Sequence, residues 1–455
     1  MMMAVLRPGS RIPYYTQRNN HLTICRRQLV LCCQPDTRIE EIMKRALLCA
    51  AFICPVLLAE NTTFRLGVDV LMEALDNPRV YPGYADLVLG RRVGLITNQT
   101  GRNREGVPTV DLLHAHDAVN LTLLFAPEHG IRGVIPAGEA VDESIDSHTG
   151  LKIHSLYGAN DKRPPRVLLD QVDVLFYDIQ DVGSRAYTYI WSMAEAMAAA
   201  GEHDKTFVVL DRPNPLGGHT IDGPITESKW LSFIGLYPIP RVYGMTAGEL
   251  ARYLNREHEL DCNLVVVPMT GYGRDLKWED LGLEWIPPSP NIPSAASAVT
   301  FAATGTLGTL GEFYIGMGTP HAFQLVGASW LNAQVSAEAL NAYELPGVKF
   351  VPVVVPNTSG GHGGGGIQAV YLQLTEPTRF LPATTELVLL RHLQSHYGDQ
   401  WRWRSDCLKR FDKAMGTSIV RRSIVGGVAL SDIVGEWEIA HGAFNDKRLR
   451  YLIYE

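Results

Sequence analysis

The chain has 455 residues, 46% of them hydrophobic and 20% charged, with a formal net charge of −7. These are globular values: they exclude global disorder and fibrous repeats, and the length suits two or three domains. No long basic run occurs, so nucleic-acid binding through phosphate neutralisation is disfavoured.

Residues 1–59 differ from the rest, holding five of the seven cysteines and an excess of basic side chains. Met43-Lys44-Arg45 precedes an apolar run that ends at Ala59 before Glu60. A basic stretch, a short apolar run and a small residue describe a secretory signal peptide, and the run is too short to span a bilayer comfortably. Residues 1–42 read as an upstream extension from a misassigned start. The expected mature chain is exported, to a periplasm or the exterior, and retains Cys262 and Cys407, which permit one disulfide without demanding it.

Candidate strands follow at 64–71, 92–97, 120–126, 151–156, 172–179, 207–210 and 263–267, with helical patterns at 110–116, 187–200 (closed by Gly201) and 247–258. Near-continuous β-branched strands alternating with helices predict an α/β fold with a Rossmann-like parallel sheet covered on both faces. The proline-rich stretch 286–293 marks a boundary. Beyond it, strands at 349–355 and 368–374 and helices near 337–342 and 384–395 predict a smaller α+β domain. The expected division is 1–59, 60–294 and 295–455. The glycine-rich stretch 359–366 reads as a loop.

In an open parallel sheet, ligands bind beyond the carboxyl ends of the strands. Asp69 lies late in the first candidate strand, Asn98 follows the second, and Glu128 and His129 follow the third. Asp178, Gln180, Asp181 and Arg185 follow the fifth, and Asp211, Arg212 and Asn214 the sixth. A single acidic residue after a strand is more often a helix N-cap. Their joint arrival at one edge points to a site. No G-x-G-x-x-G follows a strand, and the P-loop, serine-hydrolase and H-E-x-x-H zinc signatures do not occur, so neither cofactor nor metal is expected. Carboxylates with no such partner suit acid/base cleavage of acetals, where a carboxylic acid protonates the leaving oxygen and a carboxylate faces the developing positive charge. Tyr157, Tyr187, Tyr189 and Tyr243 are placed to stack on sugar faces, whereas Trp191 reads as core.

The motif Leu124-Phe125-Ala126-Pro127-Glu128-His129-Gly130-Ile131-Arg132-Gly133 resembles a signature of the exo-β-N-acetylmuramidase (NamZ-type) family. Tyr177-Asp178-Ile179-Gln180-Asp181-Val182-Gly183-Ser184-Arg185, Asp211-Arg212-Pro213-Asn214-Pro215-Leu216-Gly217-Gly218, Gly244-Met245-Thr246-Ala247-Gly248-Glu249 and Pro288-Ser289-Pro290-Asn291 continue the resemblance in order. It implies a hydrolase that releases N-acetylmuramic acid (MurNAc) from non-reducing ends of peptidoglycan fragments. It also implies a C-terminal domain closing the cleft and a catalytic glutamate at Glu128. Two departures stand out: Arg241-Val242-Tyr243 replaces the Arg-His of many relatives, and Glu312 stands near a displaced glutamate. Asp178 and Glu312 are therefore candidates for the second catalytic group. Asp69, Asn98, His129, Arg132, Gln180, Asp181, Arg185, Asp211, Asn214, Arg241, Tyr243 and Asn291 are candidate sugar contacts. The lactyl carboxylate of MurNAc needs a cation; Arg185 is the first candidate, before Arg132 and Arg241. Two alternatives stay open, an exported muropeptide receptor without turnover and a hydrolase of a related N-acetylhexosaminide.

Overall fold

The computed structural model describes residues 64–128, 130–133, 144–157, 162–356 and 366–455. Residues 1–59, where an upstream extension and a signal peptide are expected, His129 and residues 359–365 of the glycine-rich stretch lie outside the described residues.

The first part of the chain runs α1 (Gly67–Asp76), β1 (Arg92–Thr97), α2 (Thr109–Ala115), β2 (Asn120–Ala126), β3 (Ser144–Ile145), β4 (Lys152–Ser155), α3 (Arg166–Leu169), β5 (Val174–Asp178), α4 (Tyr189–Glu202), β6 (Thr206–Leu210), α5 (Ala247–Glu257) and β7 (Asn263–Val267). These strands form one sheet in the order β3-β4-β2-β1-β5-β6-β7, parallel throughout except that β3 runs against β4. The central strands β5 and β6 are buried along their whole length, which is why their sequences read as continuous apolar runs instead of alternating ones. From β1 the chain builds outward on one side through β2 and β4, then returns to build β5, β6 and β7 on the other. The switch point therefore lies at the carboxyl ends of β1 and β5, with β2 next in line. That is where an open α/β sheet binds its ligand.

Ser294 caps α6 (Ala295–Gly308), accepting a hydrogen bond from the Ser297 amide at 3.1 Å, and the smaller C-terminal domain follows. It contains β8 (Leu325–Ala328), α7 (Ala333–Asn341), β9 (Val348–Val355), β10 (Ile367–Leu374), α8 (Pro382–Tyr397), α9 (Ser405–Met415), α10 (Ile419–Val425) and α11 (Leu430–Arg448). The strands pair antiparallel in the order β8-β10-β9. Asp222, from the loops beyond β6, accepts the Ala383 and Thr384 amides at 2.7 and 3.0 Å and so caps α8 across the domain seam. The chain end returns to the first sheet, where the Tyr454 hydroxyl donates to Asp211 at 2.6 Å.

One predicted strand is a helix. Residues 64–71 form the entry and first turns of α1, because the Leu66 amide donates to Asp69 at 2.8 Å and Val70, Leu71, Ala74 and Leu75 bury one helical face. A short apolar run does not distinguish a strand from a buried helix. The structure also adds β3, β8, α6, α9, α10 and α11, and α4 continues one residue past Gly201. Cys262 and Cys407 are both buried, unpaired thiols. Among the described residues, no helix is long and apolar enough to cross a membrane.

Candidate active site

Glu128 leaves β2 through Pro127, and the Gly130 amide closes the turn by donating to the Pro127 carbonyl at 3.2 Å. The turn sets the carboxyl beside the Tyr157 hydroxyl, within hydrogen-bonding reach. Burial and the adjacent Glu128 together push the Tyr157 phenol up to about 12. Glu128 also acts through its charge on Tyr189 and on the Lys162 ammonium. Lys162 lies over two aromatic rings, 3.8 Å from the Phe233 centroid and 5.0 Å from that of Tyr157. It opens onto a groove of about 560 Å³ lined also by Glu195, Leu231, Ser232, Phe233 and Leu236.

At the ends of β1 and β5 the polar side chains hold one another but leave atoms over. Asn98 Oδ1 accepts the Thr100 amide at 2.9 Å, and Thr100 Oγ1 accepts the Gln180 amide at 2.9 Å, fastening the two loops together. Gln180 Nε2 donates to the Asp181 and Pro213 carbonyls at 2.8 and 2.7 Å. Asp181 Oδ2 accepts the Gly183 amide at 2.7 Å and the Tyr243 hydroxyl at 2.8 Å. Gly183 makes this possible with φ of 77°, where an added Cβ would collide with Asn214. Several buried atoms here have no hydrogen-bond partner among the described residues, among them Asn98 Nδ2, Gln99 Oε1, Gln180 Oε1, Asp181 Oδ1 and Ser184 Oγ. A folded protein leaves few such groups unsatisfied, and a cluster at a strand switch point is what a polar ligand completes. Burial raises the Asp181 carboxyl to about 7. Tyr187 and Tyr189 meet edge to face at 5.0 Å, and the Tyr189 hydroxyl donates to the Pro288 carbonyl at 2.6 Å.

The remaining sequence candidates have other partners. Asp178 takes a bidentate grip from Arg212, with Nη2–Oδ2 at 2.9 Å, and also accepts the Thr109 hydroxyl. Asp69 accepts the Leu66 and Arg104 amides. Asp211 caps α5 through the Thr246 hydroxyl and Gly248 amide, at 2.7 and 2.8 Å. Asn214 braces the next loop by donating to the Met245 carbonyl at 2.9 Å. The arginine candidates for a substrate carboxylate lie elsewhere in the fold. Arg132 is clamped between Asp111 and Asp146, at 2.8 and 2.9 Å. Arg185 is buried and donates to the carbonyls of Pro224, Ile239 and Met415, tying the two domains, while burial lowers its guanidinium to about 9. Arg241 pairs with Glu386 of α8 at 3.0 Å. Glu312 pairs at 3.2 Å with Arg404, a half-exposed residue of the C-terminal domain. Trp191 is core, as expected, and Asn291 is half-buried in the turn before α6. Sequence reasoning missed Lys162, and it placed Arg212 at the sheet edge without foreseeing its pairing with Asp178. Lys162 had one usable signal: it lies in the loop after β4, at the same sheet edge as Glu128.

The profile of Exo-beta-N-acetylmuramidase NamZ matches in two parts, its N-terminal part over residues 93–296 and its C-terminal part over 299–454. The chain belongs to the NamZ exo-β-N-acetylmuramidase family. It is thereby a glycosidase. The peptidoglycan beta-N-acetylmuramidase NamZ of Bacillus subtilis (strain 168) is 39% identical over 397 residues, spanning 87% of this chain and 92% of its own. Among NamZ-like folds, a crystal structure of a DUF1343 family protein from Bacteroides fragilis superposes with a TM-score of 0.78 at 36% identity, covering 86% of this chain and 99% of that one. A second DUF1343 family protein from the same organism gives 0.65 at 28%, with the same coverage.

Proposed function

We propose that this NamZ-family chain is an exported hydrolase that releases MurNAc from the non-reducing ends of peptidoglycan fragments, with Glu128 as the general acid. The observation that carries the reading is the placement of Glu128 beside Tyr157, next to a switch point where several buried polar atoms have no partner among the described residues. The name of the Bacillus subtilis relative supplies the substrate class. Cleavage of an acetal needs a proton on the departing oxygen as charge builds at the anomeric carbon. Glu128 delivers that proton. Asn98, Gln180 and Asp181 hold the sugar's polar groups, with Tyr187 and Tyr189 beside them. Asp178, gripped by Arg212, fixes the loop that carries Gln180 and Asp181.

The test is incubation of the purified chain with a chromogenic MurNAc β-glycoside and with muropeptides, following released sugar. Turnover of both is expected; tight binding without release identifies a receptor instead. Export rests on the basic and apolar segment at 43–59. N-terminal sequencing from the native cell should find a start near Glu60, and recovery with Met43 still attached contradicts it.

A further inference from the structure

The geometry points to Lys162 as the residue that reads the anionic lactyl ether of the substrate and so separates MurNAc from N-acetylglucosamine. The inference rests on the function proposed above.

The two sugars differ by one carboxylate, which requires a cation within reach of the catalytic centre. The arginines around the sheet edge are already engaged: Arg132 with Asp111 and Asp146, Arg212 with Asp178, Arg241 with Glu386, and Arg163 with Glu195 and Glu202. Arg185 is directed into buried backbone carbonyls. Lys162 differs from all of them. It makes no ion pair with the described residues, and its ammonium rests against the faces of Phe233 and Tyr157. Those rings stabilise a cation without occupying its three N–H donors.

Its position fits the chemistry. Lys162 and Glu128 share Tyr157 as a neighbour and lie close enough to feel each other's charge. The lactyl ether is carried on C3 of the ring, so its carboxylate sits about one sugar's width from the glycosidic oxygen that the acid must protonate. The groove beyond Lys162 contains a second unused donor, the buried Ser232 hydroxyl, which has no partner among the described residues. Phe233, Leu231 and Leu236 offer apolar surface to the lactyl methyl. Burial draws the ammonium below its ordinary value while Glu128 and Glu195 pull it back, so the group is partly desolvated yet held by neighbouring charge. A carboxylate entering such a site makes a charge-assisted hydrogen bond stronger than its counterpart in water.

Lys162→Met and Lys162→Arg should be compared with wild type on aryl β-glycosides of MurNAc, of its lactyl methyl ester and of N-acetylglucosamine. For Lys162→Met, kcat/KM on MurNAc is expected to fall roughly 10–100-fold, the range of one charge-assisted hydrogen bond, and mainly through KM. The methyl ester and N-acetylglucosamine substrates should change by less than about threefold, because neither carries the charge. Lys162→Arg, which keeps the charge, should recover most of the MurNAc activity. Equal losses on all three substrates, or no loss on MurNAc, overturn the inference. Calorimetric binding of free MurNAc and N-acetylglucosamine separates this inference from the function it rests on. If wild type cleaves no MurNAc glycoside, the proposed function fails. MurNAc-selective binding that Lys162→Met abolishes still supports the role of Lys162, and binding without selectivity overturns it.

Discussion

Glu128 and Asp178 end strands on either side of β1, yet they meet opposite surroundings. Asp178 is enclosed: Arg212 grips both of its oxygens and Thr109 adds a third donor, with the whole group buried. Glu128 sits half-buried at the lip, against a phenol and within range of an ammonium that makes no ion pair with the described residues. A carboxylate whose oxygens are saturated by protein donors has nothing left for a substrate. One half-buried at the lip of the sheet stays within reach of what enters. Position at the ligand edge selects a region of the sheet; the state of the hydrogen bonds separates its frame from its chemistry.

Breaking the frame should have the largest effect on stability. Arg212→Met leaves Asp178 buried without its cation, which costs about 3–5 kcal/mol for a pair of this kind. Urea unfolding should show that loss, and a change below about 1 kcal/mol would mean that Asp178 is not held as described. An intermediate effect, dependent on pH, is expected at Asp181. Burial raises its carboxyl in the folded chain to about 7, from an ordinary value of 3.8. Below about pH 4 both folded and unfolded chains hold the proton, and the contribution to stability is fully present. As pH rises through 7, the unfolded chain has already ionised and that contribution is lost. Asp181→Asn keeps an acceptor for Gly183 and Tyr243 but cannot ionise, so its melting temperature should gain on wild type as the pH is taken from 4 to 8. A constant difference across that range contradicts the burial argument. The smallest effect belongs to Glu312. Its pair with the half-exposed Arg404 is screened by solvent, so Glu312→Gln should leave both melting temperature and turnover near wild type. A large loss of turnover would instead place Glu312 in the chemistry.

Much of the fold was legible because it rests on periodicity. The apolar runs of β1, β2, β5, β6 and β7 and the helical spacing of α4 and α5 carry their own signal. The run at 64–71 failed because α1 buries its face so fully that its pattern mimics a strand. Helix α6 was missed for a related reason: its Ala- and Thr-rich sequence is buried on nearly every side and shows no apolar–polar contrast. The site edge was legible because polar residues gather after strands. What each does there was not, since it depends on partners distant in sequence. Arg185 reaches Met415, and Arg241 reaches Glu386. Nothing local in the sequence distinguishes an arginine that awaits a ligand from one that joins two domains.

The most direct measurement is steady-state turnover of Glu128→Gln on natural muropeptides, alongside its melting temperature and its affinity for MurNAc. The amide keeps the shape and removes the acid. Turnover should fall roughly 10²–10⁴-fold, the range of acid/base catalysis, with folding and binding nearly unchanged. An aryl glycoside with a very good leaving group should be less affected, because its departing oxygen needs less protonation. A variant that keeps more than about a tenth of wild-type turnover on muropeptides, well outside that range, would show that the proton comes from another residue.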